Sequence, residues 1–218
     1  MHLYETYRNP AFCTELPYLL TAPSDFDPKA EQLPLILFLH GAGERGVGEQ
    51  KLSVHGIPRY FGADEDYGGH RVITLSPQCP EGEVWIHLSS LVKALLDDVV
   101  KTYGADPDRL SVTGISMGGF GTWDMLCSYP DTFAAAAPIC GGGLSWSIHT
   151  KTPVRAFHGD ADGSVPLKNS LEMVDALNAR GGHAELTIYH GCGHDSWTRS
   201  YEQTDLIAWL ATACKREQ

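Results

Sequence analysis

The chain has 218 residues, 43% of them hydrophobic, which suits one compact domain spanning residues 1–218 with a substantial core. Its formal net charge of −11 with histidines neutral is spread along the chain, which argues against nucleic-acid or anionic-membrane partners. The opening MHLYETYRNP has no basic segment followed by an apolar one. No apolar run is long enough to cross a bilayer, so a cytoplasmic protein without stable membrane insertion is expected. The six cysteines, at 13, 79, 127, 140, 192 and 214, lie mostly in apolar contexts of a chain large enough to fold without staples. They are expected to be reduced.

The predicted elements alternate in type. Glu15–Thr21 is a strand, and Leu35–His40 (LILFLH) is a continuous apolar run of the kind buried on both faces of a sheet. Arg71–Ser76 is a further strand. Leu88–Tyr103 has helical spacing, with Leu91, Leu95, Leu96 and Val99 on one side and Gly104 just past its end. Arg109–Ile115 is a strand, Gly118–Ser128 a helix, and Phe133–Ile139 and Pro153–His158 strands. Leu167–Arg180 is a helix stopped by two glycines, Ala184–Tyr189 a strand, and Ser200–Cys214 a closing helix. This alternation predicts an α/β fold with a mostly parallel sheet and helices on both faces. Ligands in such folds bind beyond the carboxyl ends of the strands, so chemistry should sit just after each strand.

Two stretches after strands compete to define that chemistry. In LFLHGAGERG, Gly41, Gly43 and Gly46 spell the spacing of a dinucleotide-binding loop. That motif also needs a helix opening in the loop and an acid at the end of the following strand. Gly48, Gly56 and Pro58 interrupt any long helix, and Asp64, Glu65 and Asp66 precede the next strand instead of ending it. The other stretch is Gly114-Ile115-Ser116-Met117-Gly118, set between a strand and a helix. A serine on so tight a turn adopts a strained backbone and needs very small neighbours two residues away on each side. The turn lifts the hydroxyl clear of the sheet and points the Met117 N–H at a developing oxyanion.

A nucleophilic serine needs a base, and the base needs an orienting carboxylate. Among the histidines after Ser116, His194 sits in the glycine-rich loop just past strand AELTIY, where a base belongs. His190 competes for the role. His158 ends a strand and reads as a packed, hydrogen-bonded core residue, and His183 as exposed. The loop GDADGSVP offers Asp160 and Asp162 as the acid, and spacing does not separate them. Asp195, next to His194, reads as a loop-ordering residue. Two metal readings fail. His190-Gly-Cys-Gly-His194 has no second ligand cluster, and Asp160-Ala-Asp162-Gly163 puts its glycine at position 4 of a calcium loop instead of 6, with Leu171 where the final glutamate belongs.

The segments LHGAGERG, SPQCP, TGISMGGFGTW, PICGGG, FHGDAD-x-x-VP and GCGHDSW occur in that order. Together they resemble the lidless α/β-hydrolase esterases, the phospholipase/carboxylesterase-like or dienelactone-hydrolase-like group related to feruloyl esterases. The resemblance runs from about Tyr18 to Leu210. It implies Ser116 as nucleophile, His194 as base and Asp162 as acid, with the Ala42 and Met117 N–H groups as oxyanion donors. Dienelactone hydrolases proper use cysteine where this chain has Ser116. Only Cys140 to Thr152 separates two strands where lidded lipases insert a cap, so no cap domain is expected.

Trp85, Trp197 and His40 are the candidate pocket residues, and Glu44 with Arg45 a candidate loop ion pair. The expected activity is hydrolysis of short-chain acyl or aryl esters, small-molecule substrates, with no cofactor and no metal. Thioester or small-peptide hydrolysis on the same triad, or a catalytically silent binding protein, are the alternatives. A homodimer is compatible with the sequence.

Overall fold

The computed structural model describes residues 1–61 and 69–217; Asp64, Glu65 and Asp66 lie outside the described residues. Eight strands, β1 (His2–Tyr7), β2 (Leu16–Thr21), β3 (Leu35–Leu39), β4 (Ile73–Pro77), β5 (Leu110–Ile115), β6 (Ala135–Ile139), β7 (Val154–Gly159) and β8 (Ala184–Tyr189), form one sheet. Their spatial order is β1-β2-β4-β3-β5-β6-β7-β8. β1 and β2 pair antiparallel with each other, and β2 pairs antiparallel with β4. From β4 to β8 every pairing is parallel.

The helices are α1 (Glu49–Leu52), α2 (Ile57–Tyr60), α3 (Trp85–Tyr103), α4 (Met117–Ser128), α5 (Lys168–Ala179), α6 (Trp197–Glu202) and α7 (Leu206–Thr212). They cover both faces, and β3 shows why. Leu35, Leu37 and Leu39 point into a cluster with Leu91 and Leu95 of α3, Trp123 of α4 and Met173 of α5. Ile36 and Phe38 point the other way, toward Ile57 of α2 and Leu206, Ile207 and Leu210 of α7. Successive side chains of a strand face opposite ways, so a strand buried on both faces must be apolar throughout. The architecture is the mostly parallel α/β-hydrolase sheet with helices on both faces. Between β6 and β7, residues 140–153 form only turns and extended chain, so no cap domain is inserted there.

Several elements depart from the sequence reading, the short helices α1 and α2 among them, for which no element was expected. β1 was not anticipated; it is a partly exposed edge strand without a clean alternation of burial. α3 opens at Trp85, one turn before Leu88. The expected helix Ser200–Cys214 is two helices, because Thr204 interrupts it. Its hydroxyl donates to the Ser200 carbonyl at 2.6 Å and accepts the Leu206 N–H at 3.1 Å. A hydroxyl that competes in this way for backbone partners favours a helix boundary.

Candidate active site

Ser116 stands at the turn from β5 into α4, and its backbone is in the left-handed region, φ 53° and ψ −115°. A serine pays strain for this, and the surroundings must enforce it. The flanking glycines are enforced by contact. A Cβ on Gly114 would lie 2.3 Å from the Gly118 carbonyl oxygen, and a Cβ on Gly118 only 1.8 Å from that of Leu39. The Ser116 N–H donates to Ile139 O at 3.0 Å, which ties the turn to the end of β6.

The loops after β7 and β8 bring two further groups to this serine. His194 Nε2 lies 2.8 Å from Ser116 Oγ, and His194 Nδ1 lies 2.7 Å from Asp162 Oδ2. The Asp162 side chain is fully buried, while a quarter of the His194 side chain is exposed. The other Asp162 oxygen accepts the Ser164 and Val165 N–H groups, at 2.8 and 2.9 Å. Burial pushes the Asp162 carboxyl up, but hydrogen bonds from His194, Val165 and Ser164 outweigh it and hold it below the ordinary carboxylate value. The ionised carboxylate makes His194 Nδ1 a donor, which leaves Nε2 free to accept the Ser116 proton.

The remaining acids and histidines have other partners. Asp160 accepts from His190 Nδ1 at 2.8 Å and from the Gly191 N–H at 2.7 Å, so it orders the loop after β8. His190 is 89% exposed and is not brought to Ser116. Asp195 accepts the Thr198 N–H and hydroxyl, both at 3.0 Å, at the start of α6. His158 is fully buried. Its Nδ1 meets Ser170 Oγ at 2.7 Å, and its Nε2 meets Val165 O at 2.9 Å and Asp162 Oδ2 at 3.3 Å. It therefore packs behind the Asp162 loop. Among the described residues, Cys140, Asp162 and His194 form the one group spaced to ligate a metal. Asp162 and His194 there already hold each other, and burial pushes the Cys140 thiol up to about 12.

Ala42 opens a 3-10 turn, Ala42–Glu44, just after β3, and Met117 opens α4. First N–H groups of helical segments have no partner inside the segment, so both are available as donors. His40 was expected at the pocket. It is instead completely buried, and it is absent from the lining of the cavity at Ser116. Burial pushes its imidazole down to about 4. The neutral ring accepts the Cys79 N–H on Nε2 at 2.9 Å, so Nδ1 donates to Gly41 O at 2.6 Å. His40 thus braces the Ala42 loop from beneath. Glu44 approaches His40 Nδ1 at 3.8 Å and forms no ion pair with Arg45.

This arrangement predicts a pH dependence of stability. The unfolded chain takes up a proton at His40 near pH 6.5, and the folded chain only near 4. The unfolding free energy should therefore fall as the pH drops from 6.5 to about 4, and H40N should flatten that decline. Urea unfolding across this range checks it; an unchanged slope in H40N would contradict the role given to His40.

A cavity of about 310 Å³ opens beside Ser116, lined by Val84, Trp85, Ile86, Ser116, Met117 and Phe120. Trp85 is in this wall as expected, fixed by its N–H to His40 O at 2.9 Å. Trp197 is not in that lining. It packs edge-on against His194, ring centroids 5.3 Å apart. Val84, Ile86 and Phe120 were not anticipated. Phe120 was findable, since a residue four positions after Ser116 lies one helical turn on along the same face. Ile86 stands beside Trp85 but is half exposed, and apolar spacing assigns such residues no face.

A model described as the prolyl oligopeptidase family matches residues 144–217, about a third of the chain. The chain is 30% identical over 100 residues to "Poly(3-hydroxyalkanoate) depolymerase C" of Paucimonas lemoignei, 46% of this chain and 24% of that protein. It is 24% identical over 195 residues to "Probable feruloyl esterase C" of Aspergillus terreus, 80% of this chain and 70% of that one. Among solved structures, a thermostable esterase superposes with a TM-score of 0.84 at 32% identity, over 98% of this chain and 63% of the esterase chain. The chain therefore spans a quarter of the depolymerase and less than two thirds of the esterase. Strand order, the turn at Ser116 and these likenesses give the chain the α/β-hydrolase fold, and it is similar to esterases, a probable feruloyl esterase among them.

Proposed function

We propose that the protein is a serine hydrolase that cleaves carboxylic esters with short acyl or aryl groups through an acyl-enzyme on Ser116. The observation that carries this reading is the unbroken run Ser116 Oγ–His194–Asp162, at 2.8 and 2.7 Å, on a strained turn. The Ser116 proton passes to His194 Nε2 as Oγ attacks the ester carbonyl. The Ala42 and Met117 N–H groups stabilise the oxyanion. His194 then protonates the leaving alcohol, and a water molecule repeats the sequence to release the acid. The six cysteines are all free, which supports a cytoplasmic placement.

A panel of p-nitrophenyl esters of rising acyl length tests the substrate class, with an aryl ester added. The cavity at Ser116 is small, about 310 Å³, with Phe120 and Ile86 in its wall, so kcat/KM should be highest for short acyl groups and for the aryl ester. It should fall at least about tenfold by the dodecanoyl ester. A sharp optimum at long chains would contradict the reading. The match to the prolyl oligopeptidase family favours a second one, peptide hydrolysis on the same triad. Cleavage of peptide anilides faster than esters would establish that instead.

A further inference from the structure

The helix that starts at the nucleophile carries a row of side chains away from it. Ser116 precedes α4, Phe120 stands one turn on, and Asp124 a further turn. At the helical rise, Asp124 lies about 12 Å along the axis from Ser116. Phe120 and Ile86, which line the cavity at Ser116, also line a second cavity of about 260 Å³. Asp124, Cys127, Leu144 and Ser147 belong to that second wall. The two cavities therefore adjoin across a shared pair of apolar residues. Ile86 is 51% exposed and Leu144 57%, so the approach to both is open and apolar.

One group in the second wall does not fit an apolar occupant. Asp124 has a buried carboxylate oxygen, Oδ2, with no hydrogen-bond partner. Burial pushes its carboxyl above the ordinary value, against a hydrogen bond from Ser89. No Lys, Arg or His is in the lining to compensate the charge. A carboxylate in such a place is costly until a cation or a donor joins it. Oδ2 itself is covered, but the negative charge is shared by both carboxylate oxygens, and Asp124 as a whole is only half-buried and belongs to the cavity wall. The Phe120 ring in the same wall adds an attractive surface for a cation, and the net charge of −11 favours one over an anion.

We propose that the paired cavities bind the acyl arm of an ester that is apolar along its length and ends in an ammonium group, which Asp124 accepts. The assignment of that arm to the acyl side rests on the esterase reading of Ser116. It also gives plain alkyl chains a reason to fail as they lengthen, since their ends would meet a carboxylate with no cationic partner in the lining.

Calorimetric titration of the Ser116→Ala protein tests this without turnover. Three methyl esters of one eight-carbon chain serve as probes, ended by an ammonium, a hydroxyl or a methyl group. The ammonium ester should bind at least about tenfold tighter than the methyl-ended one. Asp124→Asn, isosteric and thus tolerated in the fold, should remove most of that difference, and Asp124→Ala all of it. Equal binding of the ammonium and methyl esters, or a preference that survives both Asp124 variants, overturns the proposal. A hydroxyl ester that binds as well as the ammonium ester overturns the assignment of a cation. Failure of the wild-type protein to hydrolyse p-nitrophenyl acetate would instead count against the esterase reading, and the titration stands apart from it.

Discussion

Ser116→Ala should lower kcat on p-nitrophenyl acetate by roughly 10⁴–10⁶-fold while the protein stays folded. The hydroxyl is the atom that attacks, and it lies 2.8 Å from the His194 Nε2 that takes its proton. Stability should change little. Alanine keeps the Cβ, so it inherits the same strained backbone at φ 53°, and only one hydrogen bond is lost. A Tm within about 4 °C of the wild type, with an unchanged circular dichroism spectrum, would separate lost chemistry from lost structure. Residual activity near the wild-type level would refute the assignment of the nucleophile. So would a serine-directed fluorophosphonate that labels wild type and Ser116→Ala equally.

The second large effect separates two aspartates only two residues apart. Asp162→Asn should reduce kcat by about 10⁴-fold, because the amide no longer enforces a donor at His194 Nδ1 and the ring adopts the wrong tautomer. Asp160→Asn should cost less than about tenfold, since its contacts are to the exposed His190 and the Gly191 N–H. The measurement is kcat and KM for both variants on one short ester. If the Asp160 variant lost more kcat than the Asp162 variant, the acid would have been misassigned. A KM effect without a kcat effect at Asp162 would also count against the orienting role, which acts on the chemical step.

These two predictions rest on different kinds of information. The turn at Ser116 is legible in five consecutive residues, because its constraint is local. The backbone strain and the close approaches of Gly114 and Gly118 arise within one strand-to-helix junction and its neighbours. His194 was legible as a loop after a strand, which is where parallel sheets place their chemistry. The choice of Asp162 over Asp160 was open on spacing alone and came from family resemblance. Its geometry depends on how the loop after β7 folds: the loop turns Asp162 inward to accept its own Ser164 and Val165 N–H groups.

Other features lay beyond pattern reading for comparable reasons. His40 looked like a pocket residue because it ends a strand beside the oxyanion loop. Its side chain turns inward, since the neighbouring Cys79 N–H and Gly41 carbonyl need partners in a dry interior. The second cavity depends on α4 lying beside the start of α3 and the chain after β6, segments distant in sequence.

By itself the sequence determined the α/β class, the strand-to-helix turn at Ser116 and the loop that holds His194. Apolar periodicity and glycine placement are short-range consequences of backbone geometry. Only the tertiary structure decided that His194 meets both Ser116, 78 residues away in sequence, and Asp162, 32 residues away. It alone decided that His40 supports the site from below, and that Ile86 of α3 lines the same cavity as Phe120 of α4. Those outcomes depend on which loops converge at the sheet's carboxyl edge and which polar groups are left to be satisfied there, and no local pattern encodes either.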